Sequence, residues 1–482
     1  MKPLWNLEKI IRLLLASSLF FLISCANKST TRLEHFSKPL KSGEFDQAIA
    51  MIQKDSDDLY GERNNFLYNM DLGVLFHYTY EYDSSLIYLK KAEELLEGLY
   101  AKSVTNEAAS VVTNDNIRPY RSRPYEIVMM HQYLVFNYLA LDQIENARIQ
   151  CRRGLLYLET LEDEEDKYND EGMFHYINAL IFEQLGEEDN TAISLYKSAK
   201  AYRNGKIALP KQVEGMAFDY FTRTEREKDI EELRLKKNEF SDYSAERSKN
   251  PEELIVISHA GRSPLIAELS FWGTYVRDGL LIYSYKDANG RVVSQTLPAP
   301  GLPASELNKV SSGSKNRSGS TFHISFTLPE FKASTSQTST IEVRADKKNY
   351  KSSTVTDLNQ LLKQQLDDDR LTTLTRTVIR VALRTMAAQK TKDAMQTSDP
   401  LVNLLLNIGT DVLADQLEMS DIRLCFWLPR YIQVTRIPLE PGIHRVEVVA
   451  RDSMNRPLKE DVFSQVKVRK GKKSFLFNVS SQ

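Results

Sequence analysis

The sequence predicts an α+β chain of several domains: a region of repeated helices, then an antiparallel β region interrupted by a helical insertion. Three observations predict it. Across residues 43–240 apolar side chains recur with the 3.6-residue period of helices, and small residues return at matching places. After Pro251 the period drops to two, the spacing of strands with one buried face. Within that pattern, residues 356–419 return to helical spacing. The chain has 482 residues, 42% hydrophobic and 27% charged, with mean hydropathy −0.40. That is more than one core organises, and roughly two to four domains are expected.

The leader has three parts. Lys2, Lys9 and Arg12 form a basic start diluted by Glu8, residues 13–23 are an uncharged apolar run, and Ser24-Cys25-Ala26 is a small-residue junction. The run is too short for a spanning helix, which needs about 20 residues. Basic, apolar, small is the order of a secretory signal. Leu22-Ile23-Ser24-Cys25 resembles the bacterial lipobox, in which the cysteine is diacylated and becomes the first residue of the mature chain. The resemblance implies a signal peptide over 1–24, lipidation at Cys25, and attachment to a membrane through a diacylglyceryl anchor, since two acyl chains hold stably. The plainer readings are an ordinary cleaved signal with an incidental cysteine, or a short anchor helix. By similarity to enterobacterial sorting, Ala26 after the cysteine implies the outer membrane of the bacterial envelope, facing the periplasm. Residues 25–42 are polar and read as a tether.

The precursor carries net charge −2. Removing Lys2, Glu8, Lys9 and Arg12, together +2, leaves −4 for the mature chain. That gives no electrostatic case for nucleic acid. Beyond Cys25 there are Cys151 and Cys425, expected as two buried thiols and not a disulfide, with no CxxC or Cys/His metal spacing.

The helical domain, residues 43–245, has an internal rhythm. Leu72, Gly73 and Phe76 are followed by Ser85, Leu89 and Ala92. Leu134, Val135 and Tyr138 precede Ala147, Cys151 and Gly154. Ala179, Phe182 and Gly186 precede Ala192, Tyr196 and Ala199, with one extra residue in the turn. Small residues at helix contacts and large ones between them resemble the tetratricopeptide repeat, and the resemblance implies an α-solenoid. The alternative is a generic helical bundle. Residues 103–125 read as an insert and 160–172 as a solvated connection.

The first part of the β domain, 251–350, contains LIVISH (254–259), a hairpin over 280–297 with Asn289-Gly290 at its turn, FHISFTLP (322–329) and TIEVRAD (340–346). The insertion, 355–419, reads as a helical pair. Its apolar second member, 399–419, contains Asp411 and Asp415, which favour burial against the sheet over lipid. The second part, 420–482, alternates in HRVEVVA and SQVKVR, and implies a sandwich-like domain.

Three stretches, 251–269, the arginine-bearing helical pair and 420–444, together resemble an uncharacterised family of bacterial envelope lipoproteins. Its members join tetratricopeptide-like helices to a C-terminal β domain split by a helical insertion. The last motif reads Asp-x-Arg, Leu-Pro, Arg and a Pro-Gly turn in that family. Asp421, Arg423, Leu428, Pro429, Arg436, Pro441 and Gly442 match it. Where the family has an aromatic two residues after the arginine, this chain has Cys425, followed by Phe426 and Trp427. The resemblance implies architecture and location and brings no catalytic residue.

No reaction is legible. His77, His131 and His175 fall on first helices without HExxH or paired-His spacing. Ser194 and Lys197 have S-x-x-K spacing, but Tyr196 between them is expected in the core. Asp367, Asp368 and Asp369 are successive helical residues that cannot converge on a cation. No catalytic residue, metal or cofactor is therefore assigned. First helices of a repeat array line its concave face, which places Met70, Val74 and His77, then Gln132 and Phe136, then Tyr176 and Glu183, in a candidate partner-binding groove. The expected function is a lipid-anchored envelope scaffold or adaptor that binds an envelope protein partner. A glycan-binding surface lipoprotein is the alternative, and an envelope hydrolase stands behind both.

Overall fold

The computed structural model describes residues 28–103, 119–163, 171–205, 207–241, 252–276, 280–287, 289–298, 321–395 and 420–481. Cys25, the leader, the second inserted helix 399–419, most of the 103–125 insert and the middle of the 160–172 connection lie outside them. The chain is an α+β protein, with paired helices first and antiparallel β-sheets with a helical insertion after them.

The stretch read as a tether is helical where it is described. Helices α1 (Lys28–His35) and α2 (Ser37–Ser42) pack onto the body through Arg32 and Phe36, both buried. The polar residues between these two set the composition, and so hid them. After α3 (Phe45–Lys54) and α4 (Ser56–Leu59) come four helix pairs: α5 (Asn65–Tyr78) with α6 (Tyr82–Ser103), α7 (Pro124–Ala140) with α8 (Ile144–Asp163), α9 (Gly172–Leu185) with α10 (Glu188–Asn204), and α11 (Lys211–Arg223) with α12 (Glu227–Glu232).

The small residues sit where helices touch. A Cβ on Gly73 would stand 2.5 Å from the Leu89 side chain, one on Gly172 would stand 2.5 Å from the Tyr202 ring, and one on Gly154 would run into Phe174. Close approach also brings side chains to backbone: Ser85 Oγ donates to Gly73 O at 2.6 Å and Ser198 Oγ to Gly172 O at 2.7 Å.

Each pair closes on the same turn. Tyr80, Asp142, Gly186 and Glu225 take left-handed φ of 64°, 58°, 74° and 53°. In each turn the next N–H donates back to a carbonyl five residues earlier: Glu81 to Phe76, Gln143 to Tyr138, Glu187 to Phe182 and Arg226 to Phe221, at 2.8–2.9 Å. This is the Schellman closure. It fixes a common register, and with it the third pair corrects the sequence reading. Thr191, Leu195 and Ser198 stand where Ser85, Leu89 and Ala92 do, with no extra residue in the turn. Tyr196 is consequently half-buried, and its hydroxyl donates to Glu232 Oε1 at 2.7 Å.

The strands are β1 (Glu253–Ala260), β2 (Leu265–Val276), β3 (Leu280–Lys286), β4 (Val292–Pro298), β5 (Thr321–Lys332), β6 (Thr340–Ala345), β7 (Lys348–Lys351), β8 (Ser353–Asp357), β9 (Tyr431–Pro438), β10 (Gly442–Arg451), β11 (Pro457–Val468) and β12 (Lys473–Ser480). They form three sheets, ordered β12-β1-β9-β8, β11-β10-β6-β7 and β4-β3-β2-β5. All ladders are antiparallel except β1 with β12, which run parallel. Asn289 and Gly290 turn the β3–β4 hairpin as expected, with Gly290 at φ +75°.

β1 explains its own composition. Leu254 and Val256 point into a layer shared with Val343, Val446 and Val448 of the second sheet. Ile255 and Ile257 point the other way, into the core shared with the helices. A strand buried on both faces reads as an unbroken apolar run, as LIVI does. Helix α13 (Leu358–Met395) packs Leu374 and Val378 onto Phe271, Phe326 and Leu328 of the third sheet. No described helix is long and apolar enough to cross a membrane.

Candidate functional site

Helices α5, α7 and α9 are buried on nearly every face. One side packs on the partner helix of the pair. The other, expected to be an open groove, is filled by the chain's own first sheet and by residues 420–430. The seven groove residues are all buried side chains: Met70, Val74, Gln132, Phe136 and Tyr176 are fully enclosed, His77 is 1% exposed, and the Glu183 side chain is 2% exposed. The correction follows from where the periodicity stops. It orients a side chain on its helix and says nothing of a strand hundreds of residues later that covers it.

Three sets of contacts make the seam. The first is an aromatic box. His77 lies 5.1 Å, centroid to centroid, from both His259 of β1 and Phe477 of β12. Phe136 lies 5.7 Å and 5.5 Å from the same two rings. Tyr78 and Tyr133 share a hydroxyl hydrogen bond at 2.8 Å, and Tyr78 donates to Trp427 O at 3.0 Å. The His77 tautomer is set by a relay. Ser85 Oγ gives its proton to Gly73 O and so accepts from Asn137 Nδ2 (2.7 Å). This turns Asn137 Oδ1 toward His77 Nδ1 (2.7 Å), which must donate. Burial pushes His77 down to about 4 against that hydrogen bond. Burial, joined by His77, also holds His259 well below the usual imidazole range.

The second is a cluster of two cations and two carboxylates. Arg436 of β9 donates from Nε and Nη2 to Glu253 of β1, at 2.9 and 2.7 Å, and from Nη2 to Glu183 of α9 at 3.0 Å. Lys473 of β12 contacts Glu183 at 2.9 Å and Glu253 as well. No side chain of the four is more than 4% exposed. Buried charges are tolerated only when paired, and here the sum is zero. Two further ties run alongside. Gln132 Nε2 donates to Glu171, whose other oxygen accepts from Thr356 of β8 at 2.9 Å. Tyr202 OH donates to Val355 O at 2.6 Å.

The third is the 420–430 segment, where Cys425 sits in irregular backbone and not in a strand. Arg423 donates to Asp421 twice and to Asn64 Oδ1 at 3.1 Å. Arg123 Nη2 donates to Asp421 O at 3.0 Å, and Cys425 N donates to Glu126 Oε1 at 2.7 Å. Arg32 donates to Asp71 at 2.8 Å and stacks over Tyr60 and Phe426. Tyr60 OH donates to the same Asp71 oxygen, Oδ2, at 2.6 Å. Burial raises both Asp71 and Glu126 against these hydrogen bonds. Asp421, Arg423 and Arg436, matched to the lipoprotein motif by sequence, are thus all seam residues.

Asp71, Glu126 and Glu253 match no motif of the sequence, yet each is a carboxylate inside an apolar run, in NMDLGVLF, PYEIVMM and PEELIVI. A carboxylate in that setting needs a buried partner, and that was the available signal.

Elsewhere the geometry separates groups that spacing brought together. Ser194 is buried and accepts from Asn178 Nδ2 at 3.0 Å, while Lys197 is exposed. Asp367 and Asp368 face solvent. His131 shares Gln150 with Glu93, and burial with nearby Arg153 pushes it to about 4. Cys151 and Cys425 are free thiols, both buried. Among the described residues no three His, Cys, Asp or Glu side chains are grouped to hold a metal ion. A cleft of about 220 Å³ between α13 and strands β2 and β5 has an apolar floor of Phe271, Leu328 and Phe331 and a mixed charged rim including Arg123, Lys363 and Asp367. Comparison with family models, curated proteins and solved structures finds no match.

Proposed function

We propose that this chain is a lipid-anchored scaffold or adaptor of the bacterial envelope, acting through protein–protein contact and not through catalysis. In this reading Cys25 carries the diacylglyceryl anchor, the helix pairs form a short tetratricopeptide-like solenoid, and a sandwich-like β domain occupies its inner face. The observation that carries it is the sealed seam. The helical pairs engage their inner face in cis through the aromatic box and the Arg436–Glu253–Glu183–Lys473 cluster. Among the described residues, what is left to other molecules is the outer surface. Photocrosslinkers at exposed positions of α11, α13 and the third sheet in intact envelopes are expected to give defined adducts with another protein that Cys25→Ala reduces by releasing the chain from the membrane. Membrane fractionation unchanged by Cys25→Ala, or the absence of any protein adduct, counts against it.

One observation favours the glycan-binding reading. Trp272 is 43% exposed on the third sheet, beside Ser284 and Ser325, and a partly exposed indole suits sugar stacking. Glycan binding by the purified chain that Trp272→Ala abolishes would establish that reading in place of the first.

A further inference from the structure

The common turn register exposes a pattern on the second helices. Counting from the left-handed residue of each turn, Ile87, Ile149 and Ile193 occupy one position in α6, α8 and α10. They are exposed by 56%, 55% and 45%, although isoleucine is among the residue types most often buried. Four residues before each stands an acid, Asp83, Glu145 or Asp189. Four residues after each stands a base, Lys91, Arg153 or Lys197. Each helix thus carries acid, isoleucine and base along one i±4 ridge, the ridge by which helices commonly interlock. Four residues rise about 6 Å, so the acidic and basic rows flank the isoleucine row at equal distances.

That order is self-complementary under one operation. A two-fold axis lying in the face and running along the isoleucine row brings each isoleucine onto its own copy. It also carries every acid across to the base of the same helix pair: Asp83 to Lys91, Glu145 to Arg153, Asp189 to Lys197. The perpendicular in-plane axis would set acid against acid. We infer that the face formed by α6, α8 and α10 is an isologous docking surface for a second copy of this chain, with apolar contact along the axis and ion pairs on both sides. The acidic row speaks against an anionic bilayer as occupant, since it would bring Asp83, Glu145 and Asp189 to the headgroups. Existing pairs leave the rows available. Arg153 meets Glu93 at 3.5 Å with its side chain still 60% exposed, and Glu145 meets Arg148 at 3.1 Å with 60% of its side chain exposed.

The test is site-directed crosslinking of the full-length chain in its membranes. Ile149→Cys lies on the proposed axis, and a short bismaleimide should join it to its copy and give an adduct of twice the chain's mass. The unsubstituted chain should give none, because Cys151 and Cys425 are buried and, on the lipid-anchored reading above, on which this control rests, Cys25 is acylated. In the Ile149→Cys background, Asp83→Lys should lower the adduct about tenfold by setting like charges together on both sides of the axis. Lys91→Asp added to it should restore the yield. No dimer adduct, a yield indifferent to Asp83→Lys, or an adduct with a protein of different mass would overturn the assignment. So would a fluorophore on the introduced thiol of Ile149→Cys that anionic vesicles quench while the chain stays monomeric. Ile149 is exposed, so an unchanged thermal melt of Ile149→Cys shows that any missing adduct is not a folding failure.

Discussion

Acidification should loosen the seam, and His77 gives the size of the effect. Its imidazole is neutral in the folded chain, with the value lowered from 6.5 to about 4. In the unfolded chain it titrates near 6.5, so between these values the unfolded state binds more protons, and stability falls as pH falls. The loss begins near 6.5 and is complete near 4. A shift of that size corresponds to about 3 kcal/mol for this residue, of which about 2 kcal/mol is lost between pH 7 and pH 5. His131, also lowered to about 4, and His259 act in the same direction. Asp71 and Glu126, raised by burial, act in the opposite one. The clean readout is therefore a difference between two proteins. Urea denaturation of the wild type and of His77→Gln, followed by tryptophan fluorescence at pH 7 and at pH 5, should show the variant losing about 2 kcal/mol less over that interval. Its baseline stability does not enter. Parallel pH profiles would refute the claim that a neutral, enclosed His77 sits in the folded box.

Three further outcomes are expected. Arg436→Leu strips one cation from two buried carboxylates and should cost about 3–5 kcal/mol, read by thermal or urea unfolding; a loss below about 1 kcal/mol would mean the cluster is solvated. Gly154→Ala forces a methyl toward the Phe174 ring and should cost about 1–3 kcal/mol, whereas Gly98→Ala, in α6 with nothing within 4 Å, should gain up to about 1 kcal/mol. Equal melting shifts for the two would contradict the close helix contact. Glu225→Gly relieves a left-handed, exposed residue and should raise stability by about 1 kcal/mol, and a lowered melting temperature would argue against that turn.

What the sequence disclosed followed its short-range signals. The 3.6-residue period found the pairs, and Gly73 and Gly154 marked the helix contacts. Asn289-Gly290 marked a hairpin, and alternation in HRVEVVA marked β10. Short-range signals also failed in traceable ways. Three of the four Schellman turns use Tyr80, Asp142 and Glu225, so no glycine announces them; in the third pair, where Gly186 does, the buried small residues Ala192 and Ala199 stand one position after Thr191 and Ser198 and draw the register with them. β7 and β8 are four and five residues long and were absorbed into their surroundings. The candidate groove falls on first helices whose inner face is covered, and that covering is not legible in the sequence, because Glu183 meets Arg436 253 positions away and Gln132 reaches β8 through Glu171. Such pairings leave no periodic trace. Buried acids in apolar runs are the one local sign of them.

The parallel pairing of β1 with β12 has a consequence for how the chain acquires its shape. β1 lies between β12 and β9, so the sheet at the centre of the molecule needs residues 253–260, 431–438 and 473–480 together. A ribosome delivers these in order. The helix pairs emerge first and can form from local contacts at once. Their inner faces, with Phe136 and Tyr176, then stay wet until residues more than two hundred positions later have been released. Closing such a loop is slow compared with helix formation. During that interval the inner faces that the finished molecule covers are exposed to solvent.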